Sequence, residues 1–357
     1  MKKSITDQLG GVSSLNKSLH LNLNWIKKSI DHNNGLGSSA YRTLWGTWSG
    51  VYPETTGYLI PTLLNASQFT KDEIWFDYAK KSVAFLKTIQ NEDGSFYKSI
   101  ENPKPIVFDT AQILFGFCAY HEKFSGQKEV IKNAYSWLLS QINDKGLFIN
   151  YNYVLNYNPA YYSRIFWPML CAEKLLQIPT HHKIEKGLEN ILQLQNENGS
   201  FNDWSFDKNK DALTHTIVYT LRGLWECADS LPHLKLEEAC VKSVDVLLSL
   251  PAVFAGAYNQ NLHGDFSFVC SVGNAQMAVL LNKIYTKKKN PKYLEPIVGL
   301  LKPLLKSQSH SIFNSGAIPA SIPFYGKYQR FRYTNWTQKF FVDAILELID
   351  SQSIDRA

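Results

Sequence analysis

The segment FLKTIQNEDGSF, Phe85–Phe96, reads as the end of an amphipathic helix, then Gln, then Asn and acids, then Gly and an aromatic. The same plan returns in WLLSQINDKGLF (Trp137–Phe148) and ILQLQNENGSF (Ile191–Phe201). WIKKSIDHNNGLG (Trp25–Gly37) and LLKSQSHSIFNSGAI (Leu304–Ile318) echo it more weakly. The glycine suits a helix C-terminal turn that needs positive φ. A period of about 50 residues signals a repeat whose unit cannot bury its own face alone.

Between these helices lie others that are apolar nearly all round. The expected polar-faced set is 14–31, 71–90, 127–142, 182–196, 234–250 and 291–307; the apolar set is 54–65, 109–122, 160–177, 215–228, 271–286 and 334–350. A helix apolar on every side is buried, and one with a charged face lies outside. Strict alternation of six outer and six inner helices predicts an all-α, closed (α/α)6 barrel, a toroid, over residues 1–357 as one domain with a short N-terminal extension, 1–13. Links from inner to outer helices are short, whereas outer-to-inner links run to about 15–25 residues, a length usually kept for function. All the long links should lie at one end, above the N-termini of the inner helices. They are rich in Gly, Asn and aromatics, as in NYNYVLNYNP and IPFYGKYQRFRY. A polar and aromatic concavity there suits a small molecule or a sugar.

Composition excludes several classes. The net charge of +6 is scattered, and its densest cluster, TKKKN at Thr286–Asn290, reads as a solvated turn, so no nucleic-acid arm is expected. The five cysteines are odd in number and form no CxxC pair, which predicts buried free thiols in a reducing, cytoplasmic setting and no Cys/His zinc site. MKKSITDQLGG has no apolar stretch behind its lysines and does not read as a signal peptide. No run is long and apolar enough for a transmembrane segment. The six arginines (Arg42, Arg164, Arg222, Arg330, Arg332 and Arg356) fall mostly near the long-link face. Arginine suits bidentate recognition of carboxylate or phosphate.

Polar residues on inner helices need a reason. They cluster in the first two turns: Glu54 and Tyr58; Asp109 and Gln112; Tyr162 and Arg164; His215, Tyr219 and Arg222 at i, i+4 and i+7; Asn274 and Gln276; Asn335, Trp336 and Lys339, which follow Arg332. Structural readings stand beside the functional ones. Glu54 follows Pro53 and favours a helix dipole as any first-turn acid does. Asp109 and Gln112 have capping-box spacing. Arg222, deep in an apolar helix, needs an anionic partner, whether an inner-helix acid or a ligand. Convergence of six helix starts on one end raises the functional reading. QNEDGSF and QNENGSF approach the Gln-x-x-Asp-Gly-x-Trp motif of terpene cyclases, but no Asp-x-Asp-Asp or Asp-Asp-x-x-Asp is present, so an isoprenoid cyclase is a distant alternative. GxSxG, P-loop and HExxH motifs are absent too.

GVYPETTGYLIPTLL, VFDTAQILFGF, THTIVYTLRGL, SVGNAQMA and NWTQKFFVDAIL together resemble an uncharacterised bacterial family from surface-polysaccharide biosynthesis loci. That family is in turn similar to six-hairpin glycosidases and sugar epimerases. The resemblance spans about residues 35–350, with Ala111 where the family usually has Gly and Tyr162 where it usually has Asn. It implies a toroid and gives no settled reaction. A sugar-containing substrate and association with polysaccharide-assembly enzymes are what it implies about partners.

The expected function is acid–base chemistry on a glycan or its precursor. As a hydrolase, Glu54 and Asp109 would flank the bond, with Asp203, Asp207, Asp211 and Asp265 in reserve. As an epimerase or lyase, His215, Tyr58, Tyr219 or Lys339 would move the proton while Arg164, Arg222 or Arg332 held a uronate carboxylate. Gln112, Tyr162, Asn274, Gln276, Asn335 and Trp336 would complete substrate binding. Neither version needs a metal or cofactor. A non-catalytic glycan-binding or assembly protein on the same toroid is the alternative.

Overall fold

The structure, a computed structural model, describes residues 3–99, 101–250 and 254–354. Residues 1–2 of the expected extension and Arg356 lie outside the described residues. The helices run α1 (Ile5–Gln8), α2 (Gly11–His32), α3 (Pro53–Thr70), α4 (Ile74–Thr88), α5 (Val107–Phe124), α6 (Lys128–Ser140), α7 (Ser163–Leu176), α8 (His182–Gln193), α9 (Thr214–Cys227), α10 (Leu236–Ser249), α11 (Ser271–Lys288), α12 (Ile297–Ser307) and α13 (Asn335–Ile354). Helices α3, α5, α7, α9, α11 and α13 each pack on the next, and α13 packs back on α3. That closed inner ring, wrapped by α2, α4, α6, α8, α10 and α12, is the (α/α)6 toroid. Part of the expected N-terminal extension is built into it: Ser4 caps α1, Ile5 and Leu9 are buried, and α1 packs on α12 and α13.

The repeated motif ties three of the outer helices to the next one, α4 to α6, α8 to α10 and α12 to α2, whereas Gln141 turns back on Trp137 O and Ser140 Oγ of its own helix α6. Gln90 Nε2 donates to Val130 O on α6, Gln195 Nε2 to Ala239 O and Ser243 Oγ on α10, and Gln308 Nε2 to Ser18 O on α2. The glycines of the motif have positive φ, +94° at Gly94 and +90° at Gly316. A Cβ on Gly94 would lie 2.3 Å from Asn133 O, and one on Gly316 would lie 2.0 Å from Leu21 O, so both turns sit flat against the neighbouring helix. Replacing Gln195 with Ala removes two bonds across the α8–α10 seam. Each such bond contributes about 1 kcal/mol, and the expected loss of about 2 kcal/mol should appear as a lower urea midpoint with an unchanged slope.

Inner helices approach most closely where side chains vanish. A Cβ on Gly116 of α5 would lie 2.2 Å from Gly57 O of α3, and one on Gly57 would lie 2.5 Å from Ile113 Cα. Here two backbones touch.

The long links are stitched by short strands, which the sequence reading left out. They are β1 (Tyr41–Thr43), β2 (Ala212–Leu213), β3 (Ala257–Tyr258), β4 (Gly264–Asp265), β5 (Val269–Cys270), β6 (Ser321–Ile322) and β7 (Arg332–Thr334). All pairs are antiparallel, β1 with β7, β2 with β3, β3 with β4, and β5 with β6. Links that close over one another satisfy their backbone groups by pairing. No described helix is long and apolar enough to cross a membrane.

Candidate active site

A cavity of about 550 Å³ opens at the N-terminal end of the inner ring. Its floor comes from the first turns of three inner helices: Glu54 and Tyr58 on α3, His215 and Tyr219 on α9, and Trp336 on α13. Its walls are aromatic, with Tyr52 just before α3, Phe108 in the first turn of α5, and Tyr153, Phe206 and Tyr328 from the long links. Trp336 Nε1 donates to Tyr328 Oη at 2.8 Å, which fixes both rings.

Pro53 presets the first turn of α3 and places Glu54 at its start, 6% exposed. Thr55 Oγ1 donates to Glu54 Oε2 at 3.1 Å and lies 3.2 Å from Tyr58 Oη. Burial, and next the charge of Asp109, push the Glu54 carboxyl well above the usual carboxylate range. Asp109, fully buried on the neighbouring α5, accepts from the Tyr153 hydroxyl at Oδ1, and its Oδ2 has no hydrogen-bond partner in the protein. Burial raises Asp109 to about 7, against the opposing pull of Tyr153 and Lys98. Asp109 does not itself line the cavity; it lies behind Tyr153, whose ring does, and reaches the site through that hydroxyl. The two acids stand on adjacent helices, both held toward the protonated form, and the charge of Asp109 further disfavours ionisation of Glu54.

His215 is buried and lies 4.3 Å from the Tyr219 ring, centroid to centroid. Gln276 Nε2 donates to His215 Nδ1 at 2.7 Å, so the neutral ring carries its proton on Nε2. Burial, with Arg164 second, lowers His215 to about 3. The imidazole therefore stands as a hydrogen-bond donor at neutral pH.

Several expected contact residues lie elsewhere. Arg222 and Lys339 line a different cavity at the opposite end of the ring, where Arg222 pairs with Glu226 at 2.5 Å and Lys339 with Asp343 at 2.5 Å. Arg164 also lines that lower cavity; its Nε donates to Gln112 Oε1 at 3.1 Å, and its guanidinium lies 4.8 Å from the Tyr219 ring centroid. Gln112 thus holds Arg164 and does not line the upper cavity. Asn274 Nδ2 donates to Leu300 O on α12, and Asn335 Nδ2 donates to Ser29 Oγ on α2. Both lock inner helices to outer ones. Arg332 lies over Tyr41, 4.1 Å from its ring centroid, and donates to Gln329. Tyr162 donates to Asn152 Oδ1 at 3.3 Å and lines a small space beside Phe148 and Phe166. Of the expected substrate contacts, Trp336 alone lines the upper cavity, with Gln276 acting through His215. Among the reserve acids, Asp207 lines it too, Asp265 pairs with Lys327, and Asp203 and Asp211 line a separate groove. Tyr52, Phe108, Tyr153, Phe206 and Tyr328 were not singled out from sequence. Among the described residues no group of three or more His, Cys, Asp or Glu is arranged to hold a metal ion.

The whole chain is matched by solved toroids. An unsaturated glucuronyl hydrolase specific for heparin superposes with a TM-score of 0.75 at 14% identity, covering 97% of this chain and 99% of that one. A cellobiose 2-epimerase from Bacillus thermoamylovorans B4167 gives 0.71 at 13% identity, covering 94% and 98%. A D-mannose isomerase gives 0.70 at 12% identity, covering 94% and 97%. These likenesses establish the fold. No family model and no curated protein matches the chain. The six-hairpin and epimerase side of the motif resemblance thus has structural counterparts; its surface-polysaccharide side has none among these matches.

Proposed function

We propose that the protein is a carbohydrate-active enzyme in which Glu54 and Asp109 carry out acid–base chemistry on a sugar ring held in the aromatic upper cavity. The observation that carries this reading is the pair itself. Two buried carboxyls begin adjacent inner helices, one accepting from the Tyr153 hydroxyl, with Asp109 at about 7. In this reading Glu54 is the acid and Asp109 the base. The similar toroids, a uronate hydrolase, an epimerase and an isomerase by their names, support a sugar as substrate.

The hydrolase form is favoured over epimerisation. His215 has its Nδ1 engaged by Gln276 and carries its proton on Nε2, so it suits a hydrogen bond to a sugar oxygen better than proton abstraction. The case for a uronate rested on arginines at the rim, and Arg164, Arg222 and Arg332 do not line this cavity. Lys327 does, and it is engaged by Asp265 at 2.6 Å. Flat rings such as Trp336 and Tyr328 stack on a sugar of either charge, so a neutral glycoside is as well served as an anionic one. Cytoplasmic placement, and a role in surface-polysaccharide assembly with its partner enzymes, rest on cysteine usage and on the motif resemblance respectively.

The test is an NMR survey of neutral and uronate glycosides in deuterium oxide, with wild type beside Asp109→Asn. Hydrolysis is expected to release a reducing sugar without deuterium at ring carbons, and Asp109→Asn to stop it. Deuterium at a ring carbon in wild type transfers the chemistry to the epimerase form. Saturable binding with no turnover across the panel sinks the enzymatic reading and leaves the glycan-binding one.

A further inference from the structure

The lower cavity, about 200 Å³ at the C-terminal end of the inner ring, is lined from all six inner helices. Phe340 separates it from the upper one: its ring lies 5.9 Å from Tyr58 and 6.1 Å from Tyr219, the two tyrosines of the upper floor. Four cations, Arg164, Arg222, Lys283 and Lys339, face three carboxylates, Glu226, Asp343 and Glu347. The carboxylates are largely engaged. Glu226 takes Arg222 at 2.5 Å and Lys283 at 3.5 Å, and Asp343 takes Lys339 at 2.5 Å and the Thr62 hydroxyl at 2.7 Å.

Arg164 is the exception. It is 2% exposed, and among the described residues its side chain makes one hydrogen bond, from Nε to the neutral Gln112. Among the described residues no carboxylate lies within salt-bridge distance of it, and none accepts a hydrogen bond from its terminal nitrogens. Arg222 likewise uses only Nε, on Glu226, and leaves its terminal nitrogens over. Both guanidiniums lie near one indole, 5.3 Å and 5.5 Å from the Trp167 ring centroid. The charge of Arg222 acts against that of Arg164, and although the Trp167, Tyr219 and Phe340 rings face Arg164, a buried guanidinium with no anionic partner of its own is costly. Both costs are relieved by one species, an anion that accepts from the two forks at once.

We propose that the lower cavity is a binding site for a small oxoanion, phosphate or sulfate, held between Arg164 and Arg222 with Lys283 at its entrance. The guanidinium fork matches the oxygen spacing of such an anion. The volume admits one together with a few waters, each of which takes about 30 Å³. Lys283 is the most exposed of the cations with a recorded ion pair here, at 32%, which puts it on the solvent side. The site is independent of the chemistry assigned to the upper cavity.

Inorganic phosphate titrated into the full chain, followed by calorimetry and by thermal shift at constant ionic strength, tests this. Saturable one-to-one binding is expected, with Arg164→Met weakening it about tenfold or more through loss of a charge-assisted fork. Arg164→Met disturbs a packed side chain, so two milder variants carry the result as well. Lys283→Ala should weaken phosphate several-fold, and Glu347→Gln, which removes a facing negative charge, should tighten it. Equal shifts from chloride and phosphate overturn the proposal, because they report screening alone. So does phosphate binding that Lys283→Ala and Glu347→Gln leave unchanged.

Discussion

Glu54→Gln should lower kcat/KM by about 10²- to 10⁴-fold, the range that one positioned proton donor supplies. The amide keeps the shape and the Thr55 contact but has no proton to give. The pH profile makes the result specific. Wild-type activity needs Asp109 ionised and Glu54 protonated, so it should rise as pH passes about 7 and fall at higher pH, where Glu54 finally ionises. In Glu54→Gln the alkaline limb should disappear and the acid limb remain. Ligand binding, read by quenching of Trp336 in the cavity floor, should survive. Near-wild-type turnover with an intact alkaline limb would remove Glu54 from the chemistry and return it to the role of a first-turn acid.

Gly116→Ala should cost about 3 kcal/mol, the upper part of the usual overpacking range. The added methyl group would meet the Gly57 carbonyl at 2.2 Å, and a helix backbone cannot swing aside as a side chain can. For a chain of this length that is a fall in melting temperature of about 4 °C. Gly299→Ala on α12 is the contrasting case, because its methyl group meets nothing within 4 Å. It should stabilise by about 0.5–1 kcal/mol through the ordinary helix preference for Ala over Gly. Scanning calorimetry on the two variants reads both signs. Equal effects would mean that the α3–α5 crossing is looser than described.

The helices were legible because their apolar period and the Gln…Gly turns are local signals. The site end was legible from the unequal lengths of the links. Glu54, Tyr58, His215 and Tyr219 follow from these, since each falls in the first two turns of an inner helix. Arg222 was misplaced although it lies on the same stripe. Seven residues along a helix is about 10 Å of rise, enough to carry a side chain from one mouth of the ring toward the other. Lys339 and Arg164 lie as near their helix starts as Tyr219 does; where their long side chains end, beside Asp343 and Gln112, depends on contacts between helices that no sequence period shows. Tyr153 and Tyr328 were missed because a link has no period from which to tell the inward tyrosine from the outward one. Gln112 and Gln276 were found as polar residues, but what each holds, Arg164 and His215, depends on contacts between different helices.

The glutamine turn that fastens α12 to α2 is the same device that fastens α4 to α6. An open stack of repeats can lengthen or shorten by a unit, because its last member meets only solvent. Here the turn after the last outer helix bonds to the first, and α13 meets α3, so there is no free end at which a unit could be added. Substitutions can accumulate within any hairpin, but removing one whole hairpin would open the circle and expose two apolar flanks together. The number six is therefore a boundary condition on how this sequence can change.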